Sequence, residues 1–397
     1  MVPSLRTAYN SAFTKERYET FLQALDHQYP GAISFRLAET PVFVDKAFTT
    51  KIYDACEHII DVITDPLFHQ LTDRAIPPSE KVPGENGHAH MIAFDFGVCT
   101  NAAGELEPQL IEMQGFPTLF GFQSFFPDVM RSFFPVPDHY SQYLDGLDRD
   151  SYLATLKEVI VGDLPVEQVI LLEIKPHEQK TKIDFYCTQD YLGIQPVCIT
   201  ELIQEGRQLY YMRDGQQTLI KRIYNRVIFD ELQAQKEQLG AFVDITQDLD
   251  VEWIPHPNWF YRISKFTLPY IHHAYVPTTY FLHELKQLPA DLENYVLKPL
   301  FSFAGQGVVI DITPESLDEV KDPENWILQK KVQYANVIPT PDEPAKVEIR
   351  MMYLWKDGQL RPRPVINLAR LSKGKMIGVR YNKDKEWVGG SVCFFEQ

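Results

Sequence analysis

The sequence predicts a mixed α/β (α+β) fold. Three observations carry the prediction: apolar residues at helical spacing near the start, short apolar runs alternating with helical stretches after Gly162, and a strand-rich last part from Tyr295 onward. The chain has 397 residues, of which 45% are apolar and 13% aromatic. That is enough for real hydrophobic cores and for two or three domains.

The elements follow in order. Residues 1–65 read as helical, with Ile52, Cys56, Ile59, Ile60 and Ile63 on one face behind a cap expected at Thr49 or Thr50. Residues 75–88, rich in Pro and Gly, read as a loop. The runs MIAFDFGV and QLIEMQG read as strands, and the turn at residues 101–104 joins them into a hairpin. Residues 139–161 read as helix. After Gly162 the runs QVILLEI, KIDFYCT, QPVCIT, LYYM and IKRIYNRVIF read as strands alternating with helices, which implies a partly parallel sheet. WIPHPNWFYRISKF then leads into a helical stretch. The strand-like runs beyond it are YVLKPLF, GVVIDI, NWILQKKV, KVEIRMMYLW, PRPVINLARLS, KMIGVRYN and WVGGSVCFF, with Asp357-Gly358 as a hairpin turn.

Charge and cysteine usage narrow the function classes. The net charge is −16, from 54 acidic and 38 basic residues, which disfavours nucleic acid as a partner because phosphate backbones demand an excess of Lys and Arg. Cys56, Cys99, Cys187, Cys198 and Cys393 are scattered, odd in number and without a CxxC pair, so no disulfide framework is expected. The opening MVPSLRTAYNSAFTKERYE has no apolar signal core. No stretch approaches the roughly 18–20 uninterrupted apolar residues of a membrane span. A cytoplasmic protein without membrane contact is expected.

Three constellations carry chemistry. In YVLKPLFSFAGQGVVID a strand ends at Lys298, and a loop with Gly305 and Gly307 follows. Glycines let backbone N–H groups converge on an anion, and a lysine at the strand end adds a point charge for phosphates. The loop is neither a GxxxxGK[ST] nor a GxGxxG motif, and an ordinary hairpin with a surface lysine is the plain alternative. Farther on, Arg350 and Arg370 lie on two strands around the Asp357-Gly358 turn, with Glu348, Arg350 and Met352 on one face. Charged residues between apolar neighbours need partners, so the arginines suit phosphate or carboxylate recognition, or a cross-strand salt bridge such as Glu348 with Arg370. Upstream, Asp95 lies in AFDFGV, and Glu112 and Gln114 lie in LIEMQG. Two carboxylates and an amide on adjacent strands offer an oxygen-only site of the kind Mg²⁺ prefers; a solvated edge strand is the alternative.

Taken together, these stretches resemble the ATP-grasp superfamily. Their order, with the metal strands first and the lysine strand last, is similar to the circularly permuted glutathionylspermidine synthase-like group. There the metal strand reads roughly "EFNADTPT", where this chain has Glu112-Met113-Gln114-Gly115-Phe116-Pro117-Thr118. The resemblance touches about two-thirds of the chain and rests on the joint order of short motifs. It implies a circularly permuted ATP-grasp fold with a pre-ATP-grasp α/β domain. Residues 1–165 would hold N-terminal helices and the permuted metal strands, 166–260 the pre-ATP-grasp domain, and 261–397 the ATP-binding lobes.

The same resemblance implies the site. Lys298 would contact the ATP phosphates, with Ser302, Gly305, Gln306 and Gly307 covering them, and Lys265 would be the second ATP-binding lysine. Gln329, Lys330, Lys331 and Val332 would line the adenine pocket. Arg350 and Arg370 would bind the transferred phosphoryl group, and Asp95, Glu112 and Gln114 would hold Mg²⁺. Residues 168–226, ending in IYNR, would help bind an acid substrate. The implied activity is ATP-dependent joining of a small-molecule or peptide carboxylate to an amine. Two departures matter: Gln114 replaces the family's asparagine, and Ala93 stands where many relatives have the arginine of "RxDF". They leave open a degenerate nucleotide-binding module, and a phosphotransferase is a further alternative. Outside this pattern, His88 and His90 in GHAHM share a strand face, but no third metal ligand is evident from sequence. They are expected to be surface or substrate-loop histidines.

Overall fold

The computed structural model describes residues 1–301, 307–374, 377 and 382–397. Its central element is a five-stranded antiparallel sheet ordered Gly389–Ser391, Arg363–Ser372, Lys346–Leu354, Met91–Thr100, Leu106–Gln114. Acidic and arginine strands far apart in sequence are therefore hydrogen-bonded neighbours. The acidic hairpin forms because Asn101 Oδ1 accepts from the N–H groups of Ala103 and Glu105, which fixes the turn.

Both faces of this sheet are mostly buried. On one, Ile92, Phe94, Phe96, Ile349, Met351 and Tyr353 pack in a core shared with the helix Lys46–Ile63. That helix is capped by Asp45, whose carboxylate accepts from Phe48 N at 2.8 Å, and not by Thr49 or Thr50, which lie inside it. On the other face, Met352, Ile366 and Leu368 lie in a core with the aromatic helix Phe122–Phe133. Beyond that apolar cover, the same face carries the charged side chains.

A second sheet of four parallel strands, ordered Glu252–Ile254, Arg222–Asn225, Val169–Glu173, Gln195–Cys198, lies within the 166–260 stretch. KIDFYCT is not a strand there. It opens the helix Lys182–Leu192, which buries Ile183, Phe185, Cys187 and Leu192 and ends at Gly193 with φ 78°. Residues 139–161 are likewise only partly helical: Tyr140–Ser141 is a short strand, and the helix Arg149–Ile160 starts at a capping box on Asp148. A third sheet, ordered Thr279–Phe281, Trp326–Lys330, Tyr295–Pro299, carries Lys298. Of GVVIDI only Val309 pairs, bridging back to Leu297. KMIGVRYN falls largely outside the described residues. All five cysteines are free and buried. Among the described residues no helix is long and apolar enough to cross a membrane.

Candidate active site

Register brings the charges together. Asp95 is paired directly with Arg350 on one side and Glu112 on the other, and Glu348 with Arg370. Alternation then puts Asp95, Glu112, Gln114, Glu348, Arg350 and Arg370 on one face. Asp95 is 1% exposed. Its Oδ1 accepts from Arg350 Nε at 2.5 Å, and its Oδ2 from Arg350 and Arg370 at 2.6 Å each. Arg370 also bonds Glu348, whose second oxygen accepts from Tyr334 at 3.0 Å. Arg350 reaches Thr118 Oγ1 at 3.1 Å. Burial alone would raise the Asp95 carboxyl, but Arg350 and Arg370 hold it below its ordinary value. For Glu348 burial prevails over Arg370 and raises it. In this arrangement Asp95 anchors two arginines, and neither of its oxygens is free for a metal.

Glu112 is the open carboxylate, about one-third exposed. Gln114 Nε2 donates to its Oε1 at 3.0 Å, while Arg350 and Arg370 stand 3.7 and 4.0 Å away. Between Glu112 and Leu110 the ladder slips, leaving Ile111 as the unpaired residue. The Ile111 carbonyl faces Lys298 Nζ at 3.4 Å, and Gln329 Oε1 holds the same ammonium at 2.5 Å. Burial lowers the Lys298 pKa, against the pull of Glu112 and Glu348. Burial likewise brings Lys265 down to about 8, with Glu112 and Asp230 opposing and Lys298 adding to the shift. Lys265, Lys298, Arg350 and Arg370 thus form a cationic group around Glu112.

Other predicted residues fare differently. Gln329 is buried, with its Nε2 unpartnered, on the Lys298 side of its strand. Lys330 is exposed on the opposite face, Lys331 donates to Glu293 O at 2.6 Å, and Val332 is half-buried. Gly307 has φ 72°, and a Cβ there would come 3.0 Å from Pro299 Cγ, so the loop's return demands glycine. Ser302, Gly305 and Gln306 lie outside the described residues. Sequence reasoning gave no role to Tyr334, Thr118 or Asp230. It also missed Gly97, where a Cβ would come 2.7 Å from Tyr334 Cε1. The FDFG run holds the only signal for that glycine.

With this geometry in view, a solved structure resembles the chain along nearly all of its length. It is a glutathione synthetase-like effector (GSS30) from Globodera pallida in its apo form, with a TM-score of 0.58 over 97% of this chain and 98% of that one. The chain shares that structure's mixed α/β fold, which is consistent with an ATP-grasp architecture. At 12% identity the likeness speaks for fold alone. No family model and no curated protein matches the sequence. The permuted order fits this fold: the acidic hairpin precedes the parallel sheet in the chain, yet it pairs with the arginine strands near the end.

Proposed function

We propose that the chain is an ATP-dependent carboxylate–amine ligase that works through an acyl phosphate. The observation that carries this reading is the convergence of Lys265, Lys298, Arg350 and Arg370 on the face that holds Glu112 and Gln114. Such a cationic group suits a triphosphate, because phosphoryl transfer asks mainly for positioning and charge neutralisation.

Glu112 and Gln114 fit Mg²⁺, since the ion needs only one or two protein oxygens beside nucleotide phosphates and water. When bound there it would neutralise developing phosphate charge. Lys298 and Lys265 would orient the phosphates. Arg350 and Arg370, fixed by Asp95 and Glu348, would hold the phosphoryl group in line while a substrate carboxylate attacks it. An amine would then displace phosphate from the acyl phosphate. Arg226, at the carboxyl end of the strand Arg222–Asn225, is a candidate for the acid's own carboxylate. It donates to Thr118 O at 2.9 Å, and its Nε is buried without a partner.

A second reading is favoured by one observation: both Asp95 oxygens are already taken by arginines. Together with Ala93 and Gln114, this favours a domain that binds nucleotide without turnover. One experiment separates the two. Mg·ATP should raise the melting temperature under either reading. ADP release over pooled carboxylates, with hydroxylamine trapping hydroxamates, should occur only if the chain is a ligase. No melting shift and no heat of binding would defeat both.

A further inference from the structure

The strand Met91–Thr100 carries Asp95 in its middle, and just before its first residue stand His88 and His90. They are not the surface histidines expected from sequence: His90 is 2% exposed and His88 is largely covered, its ring 4.7 Å from that of Trp355. Trp355 N donates to His90 O at 2.8 Å, which extends the sheet by one rung and brings the next hairpin turn alongside. That turn presents Asp357. Its Oδ1 lies 3.3 Å from His90 Nε2 and 3.4 Å from His88 Nε2. The three ligand atoms all lie within 4.8 Å of one another. His90 Nε2 is buried and makes no hydrogen bond of good geometry; the Asp357 oxygen is the acceptor it faces. The third ligand that sequence spacing lacked comes from a strand far along the chain.

The two nitrogen–oxygen separations, 3.3 and 3.4 Å, are longer than well-formed hydrogen bonds and match the spacing of ligands about an ion. N–H···O bonds close to about 2.7–3.2 Å. Bonds of about 2.0–2.1 Å to a tetrahedral ion put neighbouring ligand atoms about 3.3–3.4 Å apart. Two imidazoles and one carboxylate, with a fourth position toward solvent beside the exposed Asp357, make a donor set for a nitrogen-seeking ion rather than for Mg²⁺. We propose that His88 Nε2, His90 Nε2 and the Asp357 carboxylate bind one divalent transition-metal ion of the Zn²⁺ type, tying the loop before the acidic hairpin to the turn at residues 356–358. Five residues of strand, about 16 Å, separate this site from Asp95, so it is distinct from the nucleotide site.

The surroundings set its strength. Asn86 Oδ1 accepts from Trp259 Nε1 at 2.9 Å, and Asn86 Nδ2 donates to His88 O at 2.8 Å while facing His90 Nδ1 at 3.2 Å. With the amide held that way, the neutral His90 ring carries its proton on Nε2, and metal binding must move it to Nδ1. His88 Nε2 must also give up Trp355 O, 3.2 Å away. Both losses oppose binding, so the site should hold its ion more weakly than closed structural zinc sites do.

The test uses the full, tag-free chain after chelator dialysis. Calorimetry with Zn²⁺ should give one equivalent bound, Co²⁺ should develop the visible bands of tetrahedral coordination, and Zn²⁺ should raise the melting temperature. Asp357→Asn alters an exposed turn and should leave the metal-free melting curve in place while weakening Zn²⁺ at least about tenfold; His88→Gln, at a largely covered ring, should weaken Zn²⁺ as much when compared with its own metal-free form. Absence of stoichiometric binding, a Co²⁺ spectrum of the octahedral aquo type, or unchanged affinity in both variants would overturn the proposal.

Discussion

Asp95 and His90 lie on the same stretch of backbone, both almost wholly buried, yet their surroundings treat them in opposite ways. Asp95 has two guanidinium groups on its two oxygens, and each arginine has further partners. His90 Nε2 makes no hydrogen bond of good geometry. A buried charge without a partner is far more expensive than a buried neutral nitrogen, which explains how the second can persist where the first could not. The contrast separates two kinds of site. Around Asp95 the fold supplies its own counter-charges, and the arginines are fixed before any phosphate arrives. Around His90 the fold gathers two imidazoles and a carboxylate without a counter-charge from their own strand.

The sharpest way to break this contrast is to remove the carboxylate. Asp95→Asn keeps the shape but leaves Arg350, itself 8% exposed, without its bidentate partner. Breaking a buried pair from one side costs about 3–5 kcal/mol, and denaturant unfolding should register a loss of that order. Glu112→Gln, at a partly exposed carboxylate on the same face, should change stability by less than about 1 kcal/mol. If the two variants lose equally little, Asp95 is not the anchor, and the network is held elsewhere.

How much of this was legible in the sequence depends on what sets each feature. The shared face of Asp95, Glu112, Gln114, Arg350 and Arg370 follows from strict alternation, and charged residues between Phe, Ile and Met announce that they have partners. The partner itself is a cross-strand matter. Nothing near Asp95 in the chain says that both oxygens go to arginines, and nothing near His90 points to Asp357. KIDFYCT failed for another reason: a short apolar run fits either period, and its packing against the parallel sheet makes it a helix. Thr49 and Thr50 are cap-type residues, but the helix starts earlier because Asp45 accepts from an amide of the first turn at 2.8 Å.

A smaller effect, visible in protons, tests whether the cationic group answers to phosphate. Burial brings Lys265 to about 8, below its ordinary 10.5. The folded value lies below the unfolded one, so between these limits the unfolded chain binds more protons, and this group's contribution to stability rises with pH. Below pH about 8 the ammonium is charged in both states, and its burial penalty is present in full. A bound triphosphate favours the charged form. Mg·ATP binding at pH 8.5 should therefore take up protons, and affinity should fall as pH climbs above 8, by up to about tenfold per unit. Calorimetry in buffers of different ionisation heat measures the uptake, and Lys265→Met should reduce it. Identical uptake in the variant would detach Lys265 from the phosphates.

A further test concerns the outer edge of the network. Glu348 is 3% exposed and accepts from Arg370 on one oxygen and from Tyr334 on the other, at 3.0 Å. Tyr334 gets there by crossing Gly97, the position where a Cβ would come 2.7 Å from its ring. Tyr334→Phe keeps the ring and removes only the hydroxyl, so the carboxylate loses one neutral donor but keeps its guanidinium. A hydrogen bond to a charged group contributes about 1.5–3 kcal/mol, and with Arg370 still in place the loss should fall near the lower end, about 1.5 kcal/mol. Denaturant unfolding of Tyr334→Phe beside Asp95→Asn puts the two on one scale. A loss for Tyr334→Phe as large as that for Asp95→Asn would mean that the hydroxyl, and not the arginine pairing, holds Glu348 in its buried position.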